Sequence, residues 1–267
     1  MTNTKASVVS GWLARWTAWD EMQTRWLDAP SEGLSAWART TAGVAAMLLV
    51  VQFVTGILLA FHYVPSAENA YLTVAYMEKV VGAGSWARSL HYHTSQWLPF
   101  ALVLHLGQML WRRAYGRVPV AWLGSLVLLG LALGAATTGY ALPWDARSLN
   151  GANIGANLAG GLPLLGGLAQ RWIQSGDGIT TLTLSRFYAL HVFVTPALIL
   201  LCVAARLFVF RDRENANADW RGWASAQLTR NAIIVSLPTC HVERAIRKER
   251  RVGCVVDKGA AGLHLQR

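Results

Sequence analysis

The sequence predicts an all-α membrane protein, a bundle of four transmembrane helices, and two observations carry that prediction. Of the 267 residues, 54% are hydrophobic and only 14% are charged. Soluble domains carry about a quarter charged residues, so the surplus apolar surface must face lipid. Four uncharged stretches, 41–61, 91–111, 118–144 and 187–205, are each near or above the roughly 20 residues that cross about 30 Å of hydrocarbon as a helix.

The elements follow in chain order. Residues 1–37 open with polar chain, which predicts no cleavable signal peptide. They continue with Trp12, Trp16, Trp19 and Trp26 among Arg15, Asp20, Glu21 and Arg25, a pattern suited to an amphipathic helix lying in the headgroup layer. Residues 38–211 hold the four spans. The roughly 40 residues between spans three and four are too many for a turn, and their short apolar runs (154–158 and 162–168) predict short helices on the membrane surface. Residues 212–267 turn polar and basic, most densely at RAIRKERR (244–251), and read as a solvated tail drawn to anionic lipid. No aromatic platform accompanies that cluster, which argues against nucleic acid. Cys202, Cys240 and Cys254 form no CxxC pair, and with His241 and His264 they match no zinc spacing. Cys202 falls inside span four as a small packing residue.

The net charge of +10 takes its meaning from placement. All but five of the 24 Lys and Arg fall on the side of the two termini, Arg39, Arg112, Arg113 and Arg117 lying closest to the spans. The exceptions are Lys79, Arg88, Arg147, Arg171 and Arg186. The positive-inside rule predicts that both termini lie on the cytoplasmic or equivalent side, termed the n-side, with the p-side opposite.

Histidines carry the chemistry. An ionisable side chain within a span is costly and needs a partner. His91 and His105 lie fourteen residues apart on span two, about 21 Å and close to four helical turns, so they share a face at opposite depths. His191 opens span four, which enters from the same side as span two, so His91 and His191 meet at one level. Two neutral imidazoles at one level can grip a haem iron from both faces. The alternative is two unrelated buried histidines bonded to their neighbours.

Four segments, QFVTG (52–56), RSLH (88–91) with His105 beyond it, GYALPWD (139–145) and TLSRFYALH (183–191), resemble the cytochrome b of Rieske-type quinol oxidoreductases in its short, four-span form. The resemblance runs from about residue 41 to 210. It implies haem b held by His91 and His191 on the p-side, with Gly56 and Gly139 letting the porphyrin approach the backbone and Arg88 neutralising a propionate. It also implies a second, n-side haem on His105 and a residue fifteen beyond His191. That residue is Arg206, which offers iron no lone pair, and the positions fourteen before Gly56 and Gly139 are Ala42 and Ser125. The departures sort by depth, and they predict that the n-side haem is absent or weakly held. Arg206 is expected to snorkel to the n-side surface. His62 and His93 are expected in structural or partner-facing roles. Thr40 stands where some relatives carry a cysteine for a further covalent haem.

The resemblance further implies quinol oxidation on the p-side near residues 139–145, with a Rieske iron–sulfur protein and a second cytochrome b-type subunit carrying the remaining spans. The assembly would be a dimeric multi-subunit complex in a bacterial inner or equivalent energy-transducing membrane. Asn150 and Gly151, where the family commonly has larger residues, depart from the usual pocket. The alternative function is a one-haem or haem-poor cytochrome b retained as a structural subunit of a larger membrane assembly.

Overall fold

The computed structural model describes residues 40–211, apart from 112, 118 and 177, together with residues 228–236, all helical or in short connections with no strand among them. Helix α1 (Thr41–Ala60) turns Val44, Ala45, Leu48 and Leu49 inward and Val50, Val54, Ile57 and Leu58 outward, the spacing of a helix with one stripe on protein and the rest on lipid. A short α2 (Ala70–Lys79) leads to α3 (Gly84–Trp111), which packs along α1. The turn α4 (Ala114–Arg117) precedes α5 (Pro119–Ala141), which has proline at its first position, where the missing N–H costs nothing.

Between the third and fourth long helices lie two short ones, α6 (Ala146–Gly160) and α7 (Gly166–Gln174), packed on each other. Asp145 caps α6 by accepting from the Ser148 N–H at 2.8 Å. A Thr180–Thr183 capping box starts α8 (Thr181–Ala189). It runs through a π-helical turn, Leu190–Val194, into α9 (Thr195–Arg211). Pro196 explains the wide turn, since it has no N–H to give and its ring crowds the carbonyl four residues back. The adjacent Thr195 N–H reaches instead to the Leu190 carbonyl, five residues back.

Three of these helices, Thr41–Ala60, Pro119–Ala141 and Thr181–Ala205, are long and apolar enough to cross a membrane. The remaining expected span, α3, has 28 residues, about 42 Å at 1.5 Å per residue. Its Arg88, His91, His93, Gln96, His105 and Gln108 make it more polar than the others. Both histidine-bearing helices begin earlier than their uncharged stretches, at Gly84 and Thr181, so His191 lies well inside its helix rather than at its start.

The core joins Val44, Ala45, Leu48 and Leu49 of α1 to Leu98, Ala101 and Leu102 of α3, Leu128 and Ala132 of α5, and Ile199 of α9. This apolar layer lies between the levels of His91 and His105. Residues 228–236 form a last helix, α10, whose Val235 joins the same cluster. That stretch of the expected solvated tail is therefore packed on protein. The interfacial helix expected within 11–27, the basic cluster 244–251, and Cys240, His241, Cys254 and His264 lie outside the described residues.

Candidate functional site: two histidines on facing helices

The QFVTG segment is one helical face. Gln52, Thr55 and Gly56, spaced i, i+3 and i+4, all turn toward α3. The Gln52 amide donates to the His91 carbonyl at 2.8 Å and to Thr94 Oγ1 at 2.6 Å. Thr55 Oγ1 lies 2.8 Å from His91 Nδ1. A β-carbon at Gly56 would stand 3.2 Å from His91 Cε1, so the missing side chain is the room the imidazole uses.

The α5 face facing His191 repeats this arrangement with Ala135, Thr138 and Gly139, again i, i+3 and i+4. His191 Nδ1 is 2.9 Å from the Ala135 carbonyl and 3.4 Å from Thr138 Oγ1. A β-carbon at Gly139 would meet His191 Cε1 at 2.5 Å and Nε2 at 3.1 Å, which no real side chain tolerates. A Thr-Gly dipeptide thus backs each histidine, 55–56 on one side and 138–139 on the other.

These bonds fix which nitrogen carries the proton. The Ala135 carbonyl can only accept, so His191 donates from Nδ1. Thr55 has one proton and spends it on the Val51 carbonyl at 2.6 Å, leaving its lone pairs to accept from His91 Nδ1–H. Both neutral rings then hold their lone pair at Nε2, the state a metal requires, and orienting partners of this kind are the usual second layer of a metal site. The ring centroids are 6.2 Å apart with planes at 77°. That separation leaves room for a metal between the two rings.

Other residues anticipated from the sequence take distinct places. Arg88 is half exposed and paired with Glu78 of α2, and Tyr71, Lys79, Pro143 and Asp145 line the same cleft. His105 is 4% exposed, with Nδ1 3.2 Å from Thr41 Oγ1. Since 105 and 91, and likewise 41 and 55, differ by fourteen, the His–Thr contact recurs at the second level. Ser125 is fully buried, its hydroxyl donating to the Ala121 carbonyl at 2.9 Å and lying 3.5 Å from Met109 Sδ. Arg206 lies within α9, and its side chain is outside the described residues. His93 Nδ1 is bonded to the Ser89 carbonyl at 2.8 Å, and exposed His62 to the Leu58 carbonyl at 3.2 Å. Thr40 is buried at the start of α1, and Cys202 rests against the Gly124 carbonyl.

The GYALPWD segment ties the site to the surface helices. Tyr63, just past α1, donates its hydroxyl to the Leu142 carbonyl at 2.6 Å and stacks on Tyr188 at 5.5 Å. Burial, and secondarily Tyr188, push the Tyr63 phenol above its ordinary value. Trp144 takes a left-handed conformation, φ 54°, where the chain turns into the Asp145 cap. At Gly151 a β-carbon would stand 3.1 Å from the Tyr140 ring, so the small residue there makes room for a neighbouring aromatic.

Gln52, Thr55, Ala135, Thr138 and Thr41 received no role from sequence reasoning. The two Thr-Gly pairs and the fourteen-residue offset of Thr41 from Thr55 are a visible pattern, but what these residues and Gln52 and Ala135 contact depends on how the helices pack.

An all-helical membrane bundle with two partly buried imidazoles paired on facing helices is the class of protein these observations define. Residues 29–214 match the cytochrome b family (cytochrome b/b6/petB), and the chain belongs to that family. It is 35% identical to cytochrome b6 of Heliomicrobium gestii over 170 residues, covering 63% of this chain and 80% of that one. It is 30% identical to the menaquinol:cytochrome c reductase cytochrome b subunit of Geobacillus thermodenitrificans over 185 residues, covering 68% and 82%. Against cytochrome b of Rhodobacter capsulatus it is 33% identical over 176 residues but spans only 40% of that longer protein. Among solved structures, a chain of a hyperthermophilic respiratory complex III shares the fold with a TM-score of 0.70 and 18% identity, over 87% of this chain and 66% of that chain.

Proposed function

We propose that the chain is the electron-transfer subunit of a quinol-oxidising Rieske/cytochrome b-type complex, with one haem b between His91 and His191 on the p-side. The observation that carries this reading is the pair of imidazoles at 6.2 Å with both Nδ1 atoms committed to donors' work. Three features fit the group: two imidazoles with Nε2 lone pairs, ring centroids 6.2 Å apart, and glycines at 56 and 139 that leave the rings their room. Haem b held by His91 and His191 would supply a one-electron couple suited to electron transfer. The protein's part is to hold the rings, fix their tautomer, and exclude water by the surrounding apolar layer. Arg88, three residues before His91, is the cation available to a propionate, in exchange with Glu78.

The partner assignment follows the relatives. One is named as a subunit of a menaquinol:cytochrome c reductase, and the chain spans four fifths of the short relatives but two fifths of the long one. In this reading a second cytochrome b-type subunit carries the remaining spans beside a Rieske protein, and both termini of this chain lie on the n-side.

The n-side level lacks a second haem in this reading. Arg206 is no ligand, and Ser125, in the place corresponding to Gly139, is packed on Met109. Haem content of the purified complex, read as pyridine haemochrome per chain, tests both parts. One haem, lost in His91→Ala and in His191→Ala, is the expected result. Two haems would refute the n-side assignment, and none would leave the structural-subunit reading.

A further inference from the structure

We propose that α10, residues 228–236, is a built-in closing element for the His105 end of the bundle, seated through Asn231 on Gly43. The segment lies beyond the family match, which ends at residue 214. Yet Asn231 is 4% exposed and Val235, one turn later on the same face, is 5% exposed. Leu228 and Ile233 face outward, giving a helix with one side on protein and an apolar side toward lipid.

The seat is specific. A β-carbon added at Gly43 would collide with the Asn231 amide, whereas at Gly107, Gly124, Gly130 and Gly134 one would meet nothing within 4 Å. The two levels of α1 therefore use their glycines differently. Gly56 leaves room for the His91 ring, while Gly43, beside the position fourteen residues earlier, leaves room for a side chain of the tail. Val235 then joins Val44, Ala45 and Leu48 in the core. With Ser125 packed on Met109 across the bundle, the His105 level is closed by the polypeptide on the α1 side and the α5 side alike. The consequence for haem number rests on the one-haem reading above. The seating of α10 does not.

Cysteine cross-linking tests the seat in the full-length chain within its native membranes, with Cys202, Cys240 and Cys254 changed to serine. The Gly43 β-carbon position lies 2.9 Å from Asn231 Cγ, so the Asn231 β-carbon, one bond of about 1.5 Å further on, lies at most about 4.4 Å away, below the upper limit of about 4.5 Å for a disulfide between a Gly43→Cys/Asn231→Cys pair. Oxidation is expected to close that bond in most chains and not in a Gly130→Cys/Asn231→Cys control. Equal, low cross-linking of the two pairs overturns the proposal. In a second measurement, tryptic cleavage after Arg230 is expected to run about tenfold faster in Gly43→Leu than in the parent, because proteolysis follows opening; unchanged protection counts against the seat. A cross-link found together with two haems per chain supports the seat and refutes the one-haem reading, and one haem without a cross-link does the reverse.

Discussion

Replacing Thr55 by valine keeps the shape of the side chain and removes only the oxygen that accepts from His91 Nδ1 at 2.8 Å. A buried N–H left without its acceptor costs about 1–3 kcal/mol, a factor of roughly 5 to 150 at 1.4 kcal/mol per tenfold. The range overlaps the 10–100-fold loss of metal affinity usual when an orienting partner of a ligand is removed. Haem retention, followed as transfer to a haem-free acceptor protein, is therefore expected to fall by one to two orders of magnitude. In the haem-bound state proposed above, the same bond would make the imidazole a better donor and favour ferric iron. A bond worth about 0.5–1.5 kcal/mol, at 59 mV per tenfold change for one electron, predicts a midpoint potential raised by roughly 20–65 mV. Thr55→Ser, which keeps the hydroxyl, is expected to stay near the parent in both measurements. A Thr55→Val protein with unchanged retention and unchanged potential would refute the tautomer argument and its account of the Thr-Gly pairs.

Other expectations follow from the same geometry. Gly139→Ala is expected to abolish haem binding, its β-carbon striking His191 Cε1 at 2.5 Å, while Gly56→Ala, with 3.2 Å to His91, is expected to weaken it only partly; haem-to-protein ratio in purified membranes separates the two. Gln52→Leu removes the donor to the His91 carbonyl and to Thr94 and is expected to destabilise by about 1–3 kcal/mol, read as a lower temperature of haem release. Tyr63→Phe is expected to cost about 1 kcal/mol at neutral pH through the lost bond to the Leu142 carbonyl. Because the folded-state phenol is raised above its unfolded value of 10.0, the parent's stability is intact below that pH and falls as alkali is added above it. The phenylalanine variant is expected to lose that part of the alkaline decline, measured by thermal melts across pH 8–12.

The bundle was legible because its determinants are local and large. Uncharged runs of about twenty residues announce spans, and histidines fourteen apart on a helix must share a face whatever surrounds them. Pairing His91 with His191 needed only the parity of the crossings. What escaped the sequence depends on neighbours in space. The roles of Gln52 and Thr55 are visible only once α1 lies along α3, and the Ala135 carbonyl carries no side-chain signature at all. The start of α8 at Thr181 was hidden because Arg186 interrupts the uncharged run, although the Thr180–Thr183 box marks it. The tail was read as solvated because its overall charge masks nine residues with an apolar face.

The leucine-rich layer between the two histidine levels has a bearing on energy as well as on packing. Leu48, Leu98, Leu102 and Leu128 fill the middle of the membrane with hydrocarbon alone. A carrier confined to one side of such an insulator passes charge between donors and acceptors that share an aqueous face. Moving one charge across a 100 mV potential is worth about 2.3 kcal/mol; under the one-haem reading proposed above that sum is left untouched, so turnover would neither charge the membrane nor slow as the voltage rises.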